Sequence, residues 1–509
     1  MKMSFNEGKK SWSGAIILII VFCFIIFLPN VRAFSQTAHK IEDDTKNNSA
    51  EYNAKRRQYI EMIASVFDYA HKHYVDEIDP TVLYEGAMKG LMDAFGDPHT
   101  VYMDATMLRD ITDTAVGNFG GVGLTITKMP ESTEEEPAFV EVVSPLKGTP
   151  GHKAGIQSGD KIISIDGTYT PDITMDEVLS ILRGEVGTSV DLVIRRGKDY
   201  EFAVTLVRDL IEIQAVEYAM IDEIGYLSLV DFTPQAVIQF QEALDYFAEK
   251  NYKGLILDLR GNTGGLLTTA VDIADKFIDS GTIVSTKGRV VHENFSYVAT
   301  PKLTTVPKGL PVVVLINRMS ASASEILAGA LKDCHIAYLV GERTFGKGSV
   351  QNPIPLPYSD GIKITVAKYY TPSDTNIDGI GIPPDMEVLF PELSEEENEI
   401  YKRLMESKVI PTYLEEKSIL TEMEIAKFAK KLSNEYPLPE NLLRRIIRIN
   451  IPALNDSVFD LDYDIQLNAA LDVLKDVLKN NSFSTLMENS KTLKELQQDV
   501  QLEKSENKE

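Results

Sequence analysis

Cysteine is nearly absent from this chain, which limits the ways in which the fold can be cross-linked. Two cysteines, Cys23 and Cys334, occur among 509 residues. Cys23 lies in an apolar run near the N-terminus, so no disulfide is expected within the mature chain. Histidine is also scarce, with 7 residues, and the sequence has neither a G-x-S-x-G motif nor a histidine-triad signature. Histidine-dependent serine hydrolases are therefore disfavoured.

Positive charge is in deficit as well. Lysine and arginine number 51 against 76 aspartates and glutamates, which gives a formal net charge of −25. Because nucleic-acid binding usually needs a basic face, this balance argues against a nucleic-acid partner. Apolar residues make up 44% of the chain and charged residues 25%, as in soluble multi-domain proteins. The length suggests about three domains.

The one long apolar run lies close to the N-terminus. Lys9 and Lys10 precede residues 15–28, a run of signal-peptide length, and Val31-Arg-Ala33 offers a cleavage site. We predict that residues 1–33 are a signal peptide or a retained membrane anchor, with membrane association through residues 15–28 in the second case. Either outcome exports the rest of the chain to the periplasm or the outer face of the cytoplasmic membrane.

The remaining sequence predicts a multi-domain α+β fold. Residues 34–58 are polar and are expected to form a linker. The domains that follow are a helical N-terminal region over 59–114, short strands with turns over 115–209, an α/β core with a mixed sheet over 210–390, and a helical C-terminal extension over 391–509. We expect the last twenty residues to be disordered.

A serine-rich segment begins a predicted helix in the α/β region. Residues 312–317 predict a buried strand, and helical spacing starts at Ile326. Ser322 would therefore lie at a strand-to-helix turn, where unpaired N–H groups and the helix dipole favour a developing negative charge. The plainer interpretation is a capping box, since Ser322 and Glu325 have the S-x-x-E spacing. Only a base from elsewhere in the chain would make Ser322 a nucleophile.

The candidate base is Lys347, which has glycine on both sides. An ordinary lysine, with a pKa of about 10.4, is protonated at neutral pH, but burial can lower that pKa and leave a neutral amine. The simpler interpretation is a surface lysine in a glycine turn. Residues 341–347 also fit most of a P-loop, but Gly348 replaces the magnesium ligand and the prolines within 349–357 prevent the following helix. Nucleotide binding is therefore rejected.

A glycine turn precedes another predicted helix. The buried strand expected over 254–260 is followed by Gly261-Asn-Thr-Gly-Gly265, and a helix is expected from Leu267. Backbone N–H groups in such a turn suit one half of an oxyanion hole. Without Ser322, an anion-binding turn or a left-handed cap would be the preferred interpretation.

These segments together resemble the C-terminal processing peptidases, also called tail-specific proteases. The match runs through Ser320-Ala-Ser-Ala-Ser-Glu325, Gly341-Glu-Arg-Thr-Phe-Gly-Lys-Gly-Ser-Val-Gln351 and Ile377-Asp-Gly-Ile-Gly-Ile-Pro-Pro-Asp385, and also includes Gly96-Asp-Pro-His-Thr100. The resemblance covers roughly residues 60 to 390. Carried over by position, it implies that Ser322 is the nucleophile, that Lys347 is the general base and that Gln351 holds the lysine amine. It also implies an oxyanion hole formed by the amide of Ala323 and that of either Gly264 or Gly265. Asp333 would have a supporting role.

Residues 115–209 resemble a PDZ domain. The matching features include Lys153-Ala-Gly-Ile156 ahead of the turn at Gly159. In PDZ domains a ligand chain end adds as a strand, and amides of a glycine loop hold its carboxylate. An ordinary glycine hairpin is the plainer interpretation of that loop. By position the peptide-binding loop comprises Phe119, Gly120, Gly121, Val122, Gly123 and Leu124.

The resemblance implies an exported serine endopeptidase that recognises exposed C-termini of protein or peptide substrates and works without a metal or other cofactor. The alternative from another class is a non-catalytic or latent PDZ scaffold in the cell envelope. A histidine-based hydrolase would require His335 to reach Ser322. The sequence leaves open whether residues 391–509 pack on the protease, form a homo-oligomer or bind an adaptor.

Overall fold

The computed structural model describes residues 50–116, 118–129, 132, 137–146, 148–197, 200–212, 214–291, 294–390, 393–415, 421–451 and 458–506. The predicted targeting segment and most of the predicted linker lie outside these residues. No helix in the described ranges is long and apolar enough to cross a membrane. The described residues divide into two compact units, 50–110 with 351–365, and 111–350 with 366–506.

The first unit combines the N-terminal helices with a later hairpin. Its elements are α1 (Ala50–His73), α2 (Pro80–Asp93), β1 (Val101–Met103), the start of α3 (Ala105–Val116), the end of β17 (Ser349–Pro355) and the start of β18 (Gly361–Tyr370). Asp79 accepts a 2.8 Å hydrogen bond from the Thr81 amide, and Pro80 fills the first helical position, which fixes the start of α2. β1 pairs antiparallel with β18, with Tyr102 opposite Ile362.

Residues 50–58 form the first part of α1, so the prediction of a linker over 34–58 is wrong at its C-terminal end. This segment is polar, but alanine, glutamate, lysine and arginine are good helix formers, so polarity alone does not exclude a helix. Several large apolar residues along α1 are exposed. They include Tyr59, Ile60, Met62, Ile63, Val66 and Tyr69.

The PDZ-like part of the second unit is a small antiparallel sheet. Its strands are β3 (Leu124–Lys128), β4 (Val140–Pro145), β5 (Lys161–Ile165), β6 (Thr168–Tyr169), β7 (Ser189–Arg196) and β8 (Tyr200–Val207), accompanied by α4 (Pro150–Lys153) and α5 (Met175–Leu182). The order β3-β4-β5-β7-β8 leaves β3 at an edge. β2 (Asn118–Gly121) pairs instead with β9 (Asp209–Glu212).

The α/β part of the second unit contains a mixed six-stranded sheet. In spatial order its strands are β10 (Val216–Ile221), β11 (Ile224–Leu229), β12 (Gly254–Asp258), β15 (Val312–Ile316), β16 (Tyr338–Gly341) and β19 (Met386–Glu387). β10 and β11 are antiparallel, and each later neighbouring pair is parallel. β12 and β15 are buried along their whole length, as expected for central parallel strands covered on both faces.

Helices cover both faces of this sheet. The elements concerned are α6 (Pro234–Glu249), α7 (Leu267–Ala274), α8 (Ala323–Asp333) and α13 (Ile465–Asn480). Phe240, Leu257 and Leu327 belong to the core on the side of α6, α7 and α8. On the opposite side, Leu471 and Leu474 of α13 share a core with the sheet strands. Beside this sheet, β13 (Thr282–Gly288) pairs with β14 (Ser296–Val298) and with the end of β18.

The C-terminal region has two parts. A helical module, defined as α9 (Glu395–Glu406), α10 (Val409–Glu415), α11 (Glu422–Leu432) and α12 (Glu440–Ile449), has a hydrophobic core of its own. The second part is α13, α14 (Phe483–Asn489) and α15 (Leu493–Glu506). The prediction of disorder over the last twenty residues is wrong along α15, because Leu493 is buried in the same core as α8 and anchors this helix.

Candidate active site

Ser322 lies in a strained turn between β15 and α8. Its backbone angles, φ 55° and ψ −112°, are rarely adopted by residues other than glycine and cost about 1–3 kcal/mol. Neighbouring hydroxyls hold the turn: Ser320 donates to the Leu259 carbonyl and Ser324 to the Asn262 carbonyl, both at 2.8 Å. Ser322 is 9% exposed. Glu325 accepts from the Ser322 amide at 2.9 Å, as in a capping box, so capping explains this contact but not the positive φ of Ser322.

Glu325 joins the serine turn to the loop that contains Lys347. Its side chain is fully buried. Oε2 accepts hydrogen bonds from the amides of Ser322 (2.9 Å) and Lys347 (2.8 Å). Oε1 accepts from the Thr344 hydroxyl (2.6 Å) and the Gly346 amide (2.7 Å). Burial raises the pKa of Glu325, although these hydrogen bonds act in the opposite direction. The backbones of the serine and the lysine thus meet at one oxygen atom.

The glycines beside Lys347 are required by close backbone contacts. A Cβ on Gly348 would lie 2.5 Å from the Asp378 amide nitrogen, and a Cβ on Gly346 would lie 3.0 Å from that of Gly381. Gly346 also has φ 93°, which favours glycine. Lys347 itself is half-buried. These glycines therefore serve close packing of the loop against residues 377–381 rather than a loose surface turn.

The glycine turn after β12 lies against Ser322. A Cβ on Gly264 would lie 2.8 Å from the Ser322 Cβ and 3.1 Å from the Ala323 amide nitrogen. Asn262 holds this turn, because its Oδ1 accepts from the Gly264 amide (2.8 Å) and its Nδ2 donates to the Leu229 carbonyl (2.7 Å). The sequence had not singled out Asn262, although its place between Gly261 and Gly264 was the available signal.

The oxyanion hole was predicted to use the amide of Ala323 and that of Gly264 or Gly265. The Gly264 amide already donates to Asn262, which leaves the Gly265 amide as the candidate. The Gly264 carbonyl accepts from the Phe232 amide at 3.2 Å. Since the N–H of a trans peptide points away from its carbonyl, the Gly265 N–H points away from Phe232. Ala323 is the first residue of α8, so its amide has no acceptor within its own helix. The amides of Gly265 and Ala323 therefore stay the predicted pair of an oxyanion hole.

Gln351 belongs to the first unit, where it joins a hydrogen-bonded chain. Its Nε2 donates to the Thr365 hydroxyl at 3.4 Å, and that hydroxyl donates to Asp97 at 2.6 Å. Asp97 also accepts from the Thr100 hydroxyl (2.7 Å) and the His99 amide (3.0 Å). The hydroxyl of Thr365 is the largest cause that lowers the pKa of Asp97 to about 2. Sequence reasoning missed this network of hydrogen bonds, because Asp97 and Thr365 are 268 residues apart.

Asp333 and His335 lie at the other end of α8 from Ser322. The helix places roughly 16 Å between its two ends, at about 1.5 Å per residue. Asp333, its last residue, accepts from the amides of Ser373 (3.0 Å) and Leu493 (2.8 Å). These contacts tie α15 to α8. His335 follows α8 and is separated from the serine by its whole length.

The six residues of the predicted peptide-binding loop do not form one loop. Phe119, Gly120 and Gly121 lie in β2 and pair with β9, and a Cβ on Gly120 would lie 2.0 Å from the Gly184 carbonyl oxygen. Leu124 begins β3. Only Val122 and Gly123 connect the two strands. The single-loop expectation is corrected accordingly, while a role of this segment in peptide binding stays a prediction.

Three family models match parts of the chain. A model of peptidase family S41 matches residues 223–388, a PDZ domain model matches residues 141–196, and a model of the activating protease CtpB N-terminal domain matches residues 25–107. The S41 match encloses Ser322, Lys347, Gln351 and the glycine turn.

Two relatives are similar to the greater part of the chain. A carboxy-terminal-processing protease of Bartonella bacilliformis is 39% identical over 369 residues, which cover 72% of this chain and 82% of the relative. The carboxy-terminal processing protease CtpA of Bacillus subtilis is 33% identical over 337 residues, 65% of this chain and 69% of the relative. A solved photosystem II D1 C-terminal processing protease is 28% identical, with a TM-score of 0.39, and the alignment covers 64% of this chain and 92% of that one. The chain belongs to the carboxy-terminal processing proteases of peptidase family S41, and it is a serine-type peptidase with a PDZ domain.

Proposed function

We propose that this peptidase cleaves with a Ser322–Lys347 dyad through an acyl-enzyme. The observation that carries the proposal is the shared acceptor: Oε2 of Glu325 binds the amides of both residues. This contact holds the backbone of a strained serine close to that of a glycine-flanked, half-buried lysine. A lysine in such a place is suited to act as a base if burial keeps its amine neutral.

In the proposed reaction the Lys347 amine takes the proton of the Ser322 hydroxyl as Oγ attacks the scissile carbonyl carbon. The tetrahedral oxyanion is stabilised by the amides of Gly265 and Ala323. The lysine ammonium then gives its proton to the departing amine, and the peptide bond breaks. Water, activated by the same amine, hydrolyses the ester on Ser322. Gln351 holds the lysine amine in place, as the family resemblance implies.

We propose that the PDZ domain binds the C-terminal tail of the substrate. β3 lies at the edge of the PDZ sheet, so its free side can pair with an added strand. The Val122–Gly123 connection directly precedes β3, where backbone amides could meet a terminal carboxylate. The names of the relatives, carboxy-terminal processing proteases, fit this choice of substrate.

Export is proposed from the N-terminal sequence. Lys9 and Lys10, the apolar run over 15–28 and the small-residue pattern ending at Ala33 together favour a signal peptide or an anchor. Cell fractionation with N-terminal sequencing of the recovered protein tests this. Full-length protein recovered from the cytoplasm would contradict it.

The experiment for the dyad is degradation of an unfolded reporter with an apolar C-terminus by wild type, Ser322→Ala, Lys347→Ala and His335→Ala. We expect loss of cleavage in the first two variants and wild-type cleavage in the third, with chelator having no effect. Cleavage that survives in Lys347→Ala would overturn the dyad. Wild-type protein that binds but does not cleave the reporter would favour the PDZ scaffold.

A further inference from the structure

Asp231 lies beside the glycine turn that flanks Ser322. It follows the last residue of β11, and a bridge between Phe232 and Gly265 joins its segment to the turn. The Phe232 carbonyl accepts from the Leu266 amide at 2.9 Å. A Cβ on Gly265 would lie 2.9 Å from Oδ1 of Asp231. The Asp231 carboxylate is therefore packed against the turn that carries one of the two predicted oxyanion amides.

The same turn connects Asp231 to the candidate nucleophile within the second unit. A Cβ on Gly264 would lie 2.8 Å from the Cβ of Ser322. Since neighbouring Cα atoms are about 3.8 Å apart, Oδ1 of Asp231 lies no more than about 13 Å from that Cβ. An extended chain advances about 3.3 Å per residue, and a lysine side chain reaches about 6 Å beyond its Cα. A charged side chain within three residues of the scissile bond can thus reach this carboxylate.

The Asp231 carboxylate has no cation beside it in the part of the chain that the structure describes. Its hydrogen bond there is the 2.7 Å contact of Oδ1 with the Phe232 amide. Burial raises the pKa of Asp231, and that amide acts in the opposite direction. The residue remains partly exposed. A partly buried carboxylate without a counter-charge, which solvent still reaches, is suited to receive a positive charge from outside.

The proposed reaction gives this negative charge a direct consequence. An oxyanion that forms at the amides of Gly265 and Ala323 would be repelled by the Asp231 carboxylate, and the repulsion grows as the bound substrate excludes water. A cation on the substrate that pairs with Asp231 removes this repulsion. Such a cation would therefore favour the transition state as well as binding.

We propose that Asp231 is a specificity-determining residue that binds a lysine or arginine side chain of the substrate within three residues of the scissile bond. The proposal rests on the proposed function, in which Ser322 is the nucleophile. It adds a second element of recognition, at the site of cleavage, to the binding of the substrate tail by the PDZ domain.

A different role for this carboxylate would be to accept a hydrogen bond from a backbone amide of the substrate. That role needs only an acceptor, and asparagine supplies one in a side chain of nearly the same shape. Pairing with a substrate cation needs the negative charge, which asparagine removes. Asp231→Asn therefore separates the two roles.

The experiment measures kcat/KM on peptides that share one apolar C-terminus. A single lysine is moved through the three residues on each side of the cleavage site, which mass spectrometry locates. Each lysine peptide is compared with a norleucine peptide, which has a side chain of similar length without the charge, and with a glutamate peptide. The enzymes are wild type, Asp231→Asn, Asp231→Lys and Ser322→Ala.

The matched control is Asp222→Asn. Asp222 is an exposed aspartate before the opposite end of β11, roughly 20 Å away along the strand. Its φ of 52° is one that asparagine adopts readily. This variant removes the same charge from the protein as Asp231→Asn does. Thermal unfolding is recorded for every variant, and a ratio of two kcat/KM values does not depend on the amount of folded enzyme.

At one or more positions wild type should cleave the lysine peptide with a kcat/KM about 5-fold above that of the norleucine peptide, as for an ion pair that stays in contact with solvent. Asp231→Asn should lower this ratio to about 1, and Asp222→Asn should keep the wild-type ratio. Asp231→Lys should cleave the glutamate peptide better than the lysine peptide. Asp231→Asn should also be no less stable than wild type, because it removes a charge that burial disfavours.

Three results would overturn the proposal. Wild type that cleaves without a preference for lysine at any position would remove it, as would a preference that persists in Asp231→Asn. A preference that Asp222→Asn loses to the same extent would assign it to the overall negative charge of the protein. Cleavage that survives in Ser322→Ala would instead remove the proposed function, and the inference with it, so the two failures are distinguished.

Discussion

At the scale of single residues, the strain at Ser322 has a consequence for stability. A residue with a Cβ pays about 1–3 kcal/mol for such backbone angles, while glycine adopts them freely. Glycine in turn loses roughly 0.5–1 kcal/mol more conformational freedom on folding. The hydroxyl bonds of Ser320 and Ser324 hold the turn and so maintain the strained conformation. At position 322 the free energy that glycine gains by avoiding the strain is therefore larger than the free energy that it loses in conformational entropy.

We therefore expect Ser322→Gly to be more stable than Ser322→Ala by about 1 kcal/mol, with both variants inactive. Urea denaturation of the two variants measures the difference. The matched control pair is Ser324→Ala and Ser324→Gly. Both variants lose the same hydroxyl, but position 324 lies within α8, where glycine is a poorer helix former than alanine. Ser324→Gly should therefore be less stable than Ser324→Ala by about 1 kcal/mol. Equal stabilities at position 322 would refute strain at this serine.

Glu325→Gln should lower kcat by about 100-fold, the effect expected of a displacement of roughly 1 Å in a catalytic group. The glutamine keeps the shape of the side chain, but its NH2 group cannot accept the hydrogen bonds that one carboxylate oxygen now receives. Either the Ser322 and Lys347 amides or the Thr344 and Gly346 donors lose their acceptor, at about 1–3 kcal/mol for each buried group left unpaired.

The control for this substitution is Glu177→Gln, which alters the exposed capping box of α5. It should cost some stability of the PDZ domain and leave kcat on a short peptide unchanged. Steady-state kinetics on both variants supply the comparison. Wild-type kcat in Glu325→Gln would show that the lysine loop does not depend on this carboxylate.

At the scale of elements, local sequence patterns were sufficient for much of the fold and for part of the site. The helix expected from Leu267 is α7, and a strand, a turn and a helix do surround Ser322. Each of these has a short-range cause, such as a cap, a glycine turn or an apolar run.

The contacts that the sequence could not predict join segments far apart in the chain. The four donors of Glu325 come from Ser322 and from residues 344–347, and an S-x-x-E pattern explains only the first of these. Arg260 donates to Asp464, 204 residues later, which fixes the start of α13 beside the sheet. Periodicity marks α13 as amphipathic but does not say which surface it covers.

α13 is expected to contribute strongly to the stability of the α/β sheet, since its apolar face packs on the central strands from one side. Leu474→Ala removes a fully buried side chain that packs near Gly254 of β12, and should cost about 2–5 kcal/mol. Lys475→Ala, at an exposed position of the same helix, should change stability by less than about 0.5 kcal/mol. Chemical denaturation measures both. A small loss at Leu474 would contradict an essential role for α13.

At the scale of the whole molecule, the helical module of α9–α12 is an insertion between two parts of the second unit. Gln466, at the start of α13, donates to the Val388 carbonyl just after β19, at 2.7 Å. The chain therefore leaves the sheet and returns to it at almost the same place. The module has its own core, which includes Ile425, Phe428 and Leu443. Such an arrangement is typical of inserted domains, which fold separately from their host.

Excision of residues 393–451, with a short glycine–serine linker in their place, should therefore leave cleavage of the unfolded reporter within about threefold of wild type, because Val388 and Gln466, which flank the excised segment, are hydrogen-bonded to each other. Truncation after residue 390 removes α13 as well, exposes one face of the sheet and should give unfolded or aggregated protein. Circular dichroism, thermal unfolding and reporter cleavage compare the two proteins. An excised protein that folds but no longer cleaves would contradict the expectation and would place the module in substrate delivery, whereas an excised protein that cannot fold would show that the sheet depends on the insertion.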